Sequence, residues 1–83
     1  MQLLILGSPA SGFVCVVSKE TEEVDAQEVA RSLCLLPELQ ATITSMVTEY
    51  PIENILLYGS DKYLTQVAND CKDWFPQIPV TLM

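Results

Sequence analysis

Few residues in this chain have side chains suited to catalysis, and their spacing decides most of the possibilities. Cys15, Cys34 and Cys71 are the three cysteines, histidine is absent, and no two cysteines form a C-x-x-C pair. A structural zinc site takes four Cys or His ligands at short spacings, so the sequence offers no metal centre and implies no cofactor. An odd number of cysteines among apolar neighbours reads as reduced thiols packed in a core, which suits a cytoplasmic setting. Gly7 and Gly12 have the G-x-x-x-x-G spacing of a phosphate-binding loop. Such a loop continues with Lys and Ser or Thr into a helix, because the helix amides and the lysine hold the phosphates. Here Phe13 and Val14 follow and open a β-rich run, so residues 7–12 are expected to form a hairpin turn. Ser8 and Ser11 have no histidine base and sit in no G-x-S-x-G elbow, which leaves serine-hydrolase chemistry without support.

Two polar segments remain. Tyr58-Gly59-Ser60-Asp61-Lys62-Tyr63 joins an apolar run to an amphipathic stretch. At the carboxyl end of a parallel strand, a helix N-terminus offers free N–H groups and a favourable dipole to an anion. Tyr58, Gly59, Ser60, Asp61, Lys62 and Tyr63 are therefore the candidate contacts for a small anionic ligand or phosphate-bearing substrate. The structural alternative is that Ser60 or Asp61 caps the helix, Gly59 permits the turn and the tyrosines pack; an acid at the helix start already takes the place an anion would favour. Residues 19–28 hold one lysine and five acids, including Glu20, Glu22, Glu23 and Asp25. That patch could engage a basic partner protein or imitate DNA phosphates, or it is a solvated turn whose charges discourage strand pairing. The acids thin out after Glu28, whereas a DNA mimic carries them over its whole surface.

The elements that must position these residues follow from periodicity. Gln2 to Leu6 is a nearly unbroken apolar run, the pattern of a central strand covered on both faces. Phe13 to Val17 is a second strand, paired with the first as a hairpin. Val24 to Val29 fits a short edge strand behind a tight turn, although Asp25 and Glu28 also fit a capping box. Pro37 suits the first helical position, and Leu39, Ile43, Met46, Val47 and Tyr50 recur at helical spacing up to Pro51. Residues 55–58 form another buried strand. A second helix carries the stripe Leu64, Val67, Ala68, Cys71, Trp74 and Phe75 and ends at Pro76, and Ile78 to Met83 is a last strand. The strand-helix-strand unit from Ile55 to Met83 should be a right-handed parallel crossover.

The expected class is α/β: one small domain over residues 1–83, with a mixed sheet in the chain order β-β-β-α-β-α-β and helices packed on it. A three-stranded meander followed by α-β-α-β resembles the ribonuclease H-like fold in minimal form, from one end of the chain to the other. The resemblance implies that the first, fourth and fifth strands are parallel, with the second and third antiparallel at one edge. Nucleases of that family hold two metal ions with carboxylates, one of them an aspartate in the first strand. Here Gln2-Leu3-Leu4-Ile5-Leu6 contains no acid, Glu38 lies at the start of helix one, and only Asp61 loosely matches an acidic position. The resemblance therefore implies a fold without the nuclease site.

The chain has 83 residues, 49% of them hydrophobic and only 18% charged, with a formal net charge of −7. That field repels nucleic acids and anionic membranes. The apolar runs reach about five residues, far short of a membrane span. So apolar a chain of this size is expected to place some apolar area in an interface. The last strand, with Val80 and Leu82, is one candidate contact; the helix one surface and the acidic turn at Glu20, Glu22, Glu23 and Asp25 are others. The function expected from sequence is that of a non-catalytic protein-interaction or self-assembling accessory protein, of phage or viral type, acting as a homo-oligomer or on a protein partner. An enzyme acting through residues 58–63 and an acidic DNA-mimic inhibitor are the alternatives.

Overall fold

The computed structural model describes residues 1–20, 27–59 and 62–83. The elements are β1 (Gln2–Ser8), β2 (Gly12–Lys19), β3 (Gln27–Cys34), a 3-10 turn at Leu36–Glu38, α1 (Leu39–Glu49), β4 (Asn54–Tyr58), α2 (Leu64–Trp74) and β5 (Val80–Leu82). They build a five-stranded mixed sheet in the order β3-β2-β1-β4-β5. β1 is antiparallel to β2 and parallel to β4, β2 is antiparallel to β3, and β4 is parallel to β5.

Register and burial together show which face is the core. Leu3 aligns with Val17 and Ile55, and Ile5 with Cys15 and Leu57, so these side chains share one face of the sheet. All six are completely buried, in one cluster with Leu39 and Ile43 of α1 and Leu64, Val67 and Cys71 of α2. Both helices therefore pack on the same face. The helical stripes read from sequence are the ones that face inward, with Trp74 and Phe75 half-buried at the end of α2 in an edge-on contact of 6.5 Å between ring centres.

The hairpin between β1 and β2 turns through Pro9, Ala10 and Ser11, with Ser8 opposite Gly12. Gly7 and Gly12 have φ of +129° and +94°, backbone conformations that L side chains avoid, which explains glycine at both ends of the turn. The Ser8 hydroxyl accepts a bond of 3.1 Å from the Ser11 N–H and lies 2.7 Å from the Ser11 hydroxyl, so these two serines hold the turn. The G-x-x-x-x-G spacing thus belongs to a hairpin, as expected.

Three expectations need correction. β3 spans Gln27–Cys34 rather than Val24 to Val29; residues 24–26 lie outside the described residues. Its inward positions are Ala30, Ser32 and Cys34, small side chains that carry little apolar signal, so the strand was hard to place. Glu28 is a strand residue and makes no capping box. The second correction concerns β1, which is covered on one face only: Leu4 is half-buried and Leu6 is 40% exposed. Its side chains are apolar on both sides, but both crossovers lie over the same face. Third, the last strand is shortened to Val80–Leu82, because Pro79 has no N–H for the ladder; its carbonyl accepts from Ile55 at 2.9 Å instead.

Candidate functional site

The strand-to-helix turn after β4 was the first candidate. The residue at the cap of α2 is Tyr63, without a side-chain cap bond, so the cap expected from Ser60 or Asp61 moves to Tyr63. Ser60 and Asp61 themselves lie outside the described residues. The Lys62 ammonium sits 5.2 Å from the centre of the Tyr63 ring, a cation-π contact that directs this cation to its neighbour. Gly59 has a packing reason: a Cβ there would collide with Leu64 and come within 2.8 Å of the Gly7 carbonyl. Tyr58 is the last residue of β4 and half-buried. Gly59 and Tyr58 are thus held by packing, while Lys62 and Tyr63 are exposed.

The acidic turn is described only at Glu20, which is exposed; Glu22, Glu23 and Asp25 lie outside the described residues. In β5, Val80 is half-buried against the core and Leu82 is 42% exposed. β5 is an edge strand, but only three residues long. Among the described residues, no group of three or more His, Cys, Asp or Glu is placed to hold a metal ion, and no helix is long and apolar enough to cross a membrane.

Sequence reasoning missed two surfaces. The first is the sheet face opposite the helices. Leu33, Val14, Leu6 and Tyr58 align in a row across four strands, and Arg31, Val16, Leu4 and Leu56 in the next. Leu33 is 73% exposed and Leu6 40%, while Leu4, Val14, Leu56 and Tyr58 are half-buried. One end of this face opens into a concavity of about 570 Å³ lined by Leu6, Val14, Leu33, Leu35, Gly12 and Glu38, among others. Towards the other end it turns polar, with Glu28, Ser18, Gln2 and Asn54 in one row.

Its charges are paired. Arg31 donates to one Glu28 carboxylate oxygen from Nε at 3.0 Å and from Nη2 at 2.6 Å. Residues three apart on a regular strand point to opposite faces, so this pair needs an explanation. Val29 is an extra residue in β3: Val17 aligns with Ala30 but Ser18 with Glu28. The bulge shifts the alternation by one and brings Glu28 and Arg31 to the same face. No sequence signal marked it.

The second surface is a groove of about 500 Å³ between β3 and α1, bordered by Ala30, Arg31, Ser32, Ala41, Ser45, Glu38 and Glu49, among others. It lies on the helix side of the sheet, since Ala30 and Ser32 align with Val17 and Cys15 of the core face.

All three cysteines are free and buried, as expected from sequence. Burial pushes the Cys15 thiol up to about 12, with the adjacent Cys34 and then Cys71 adding to the shift. Burial also pushes Cys71 up to about 11, with the Asp70 carboxylate contributing. Thiols held so far from ionisation are poor nucleophiles, which argues for packing over chemistry.

In comparison with known proteins, no family model, no curated protein and no solved structure matches the chain.

Proposed function

We propose that this chain is a small, non-catalytic protein-interaction module that pairs with a second copy of itself through the open face of its sheet, in the reducing setting that its three free thiols suit. The observation that carries this reading is that face, where Leu33, Val14, Leu6 and Tyr58 form an apolar row opposite the helix layer with Leu33 and Leu6 exposed, beside a second row in which Leu4 and Leu56 are half-buried and Val16 is buried. Exposed apolar rows of this extent are costly in water and mark contact surfaces.

A second copy is the occupant that its charge favours. The chain carries −7, yet the charged residues in the strand rows of this face among the described ones are Arg31 and Glu28, already bonded to each other, with Glu38 at the concavity at one end. In a two-fold contact each residue i meets j while j meets i, so a patch with one cation and one anion complements itself. We read the architecture as ribonuclease H-like without the catalytic carboxylates, a reading supported by the order β3-β2-β1-β4-β5 with β1, β4 and β5 parallel.

Light scattering coupled to size exclusion, over a range of concentrations, tests the pairing. The expected mass at high concentration is twice 9.2 kDa. The double variant Leu6→Asp, Leu33→Asp, whose side chains lie outside the core, should remain folded by circular dichroism and run as a monomer. A wild-type chain that stays monomeric at every concentration refutes the reading.

A further inference from the structure

The β3 edge carries a separate observation. β3 ends the sheet, so alternate residues along it direct N–H and C=O groups away from β2 with no further strand beside them among the described residues. Exposed edges are usually blunted by shortness, proline, charged side chains or bulges. β5 is blunted in this way, with three residues after Pro79; β3 has neither proline nor lysine, and its bulge at Val29 leaves Ala30 to Cys34 as the regular part of the edge. That five-residue stretch is a template for an added strand.

Beside this edge lies the β3–α1 groove, and its walls state what could fill it. Ala30 and Ser32 are small and half-buried, and Ala41 and Ser45 border the groove from α1, so space is left between these four, with Met46 and Tyr50 as the larger side chains along it. A segment added along β3 would send every second side chain into that space. The carboxylates bordering it are Glu38 and Glu49, α1 itself contains no lysine or arginine, and the cation at its border, Arg31, has its charge taken up by Glu28. Cationic side chains are the complement. Glu38 and Glu49 stand eleven positions apart on a helical path, about 16 Å at ~1.5 Å per residue. An extended chain advances ~3.3 Å per residue and returns to the same side every second residue, so two long cationic side chains about four residues apart span the acids.

We propose that the β3 edge and the β3–α1 groove bind an extended peptide segment bearing two lysines or arginines four residues apart, taken up as a sixth strand. This rests on the chain being an interaction protein but uses the edge and the helix side of the sheet, which meet the open face at Glu38 and Arg31.

The test is fluorescence anisotropy with a dye-labelled peptide of alternating valine and threonine carrying lysine at positions three and seven. The same peptide with glutamate at those positions, and the lysine peptide N-methylated on alternate amides, serve as controls. The lysine peptide should bind; the glutamate peptide should not, and N-methylation in one of the two alternations should abolish binding. The double variant Glu38→Gln, Glu49→Gln should weaken binding on the order of tenfold or more, because two charge-assisted contacts are lost. Equal binding of the lysine and glutamate peptides, indifference to N-methylation in both alternations, or no binding of the lysine peptide would each overturn the proposal. The Leu6→Asp, Leu33→Asp variant should bind the peptide like wild type, so failure of face pairing and failure of this site are separable. A dimer broken by Ala30→Pro but retained in the Leu6→Asp, Leu33→Asp variant would put a second copy on the β3 edge and also overturn the peptide assignment.

Discussion

At the level of single residues, the thiols and glycines give the sharpest expectations. Cys15 and Cys71 hold their protons well above the ordinary 9.0 of a free thiol, to about 12 and about 11, chiefly because burial disfavours the thiolate. Below pH 9 both states keep these protons and stability does not depend on them. Between pH 9 and 11 the unfolded chain releases two protons that the folded chain retains, so stability falls as pH rises through that window. Urea unfolding at intervals from pH 7 to 10.5 should show a plateau followed by a decline, and Cys71→Ala should lower the slope of the decline. Gly59→Ala should cost about 1–3 kcal/mol, because the new methyl must displace Leu64 while facing the fixed Gly7 carbonyl. A midpoint unchanged in chemical denaturation would contradict that close approach. The burial of the cysteines was legible because their neighbours are apolar. The reason for Gly59 was not, since it depends on the ends of β1 and β4 coming together with Leu64, which no local pattern records.

At the level of elements, the strands and helices with strong periodicity were readable and the others were not. The stripe of α1 places Leu39, Ile43 and Met46 in the core and leaves Thr44 and Thr48 exposed, each donating its hydroxyl to the carbonyl four residues back at 2.7 Å. Ile43→Ala should cost about 2–5 kcal/mol by leaving a cavity against the sheet. Thr48→Ala should be neutral or stabilising by up to about 0.7 kcal/mol, since alanine is the better helix former and the lost bond lies in solvent. Thermal or urea midpoints for the pair check both values; similar losses would mean that the helix is rotated. β3 escaped the pattern because its inward residues are small and its bulge breaks the two-residue period at Val29, so the apolar signal that locates a strand is absent there. The open face escaped for the opposite reason. β1 and β4 are apolar on both sides, and periodicity cannot tell a strand covered twice from one that leaves half its side chains outside.

For the molecule as a whole, charge and apolar surface act in opposite directions on the two proposed contacts. Two chains of −7 repel, and salt screens that repulsion over about 8 Å at physiological ionic strength. Raising salt from 20 to 300 mM should therefore strengthen pairing over the open face, whose local charges cancel, and weaken capture of a cationic peptide at Glu38 and Glu49. Sedimentation and anisotropy across the same salt series check both signs, and a common direction for the two would mean that they share a surface. The one-sided packing also could not be foreseen, because it depends on which face both crossovers take. The central place of β1 in the sheet has a further consequence, for the order in which the chain folds. The β1–β2–β3 meander closes through short sequence separations, whereas β4 must return across some fifty positions to reach the other edge of β1. Loop-closure entropy favours the meander first. Until β4 arrives, the nascent chain presents Leu3 to Leu6 as an unpaired apolar edge, and the interval before that parallel pairing is when it is most exposed to aggregation.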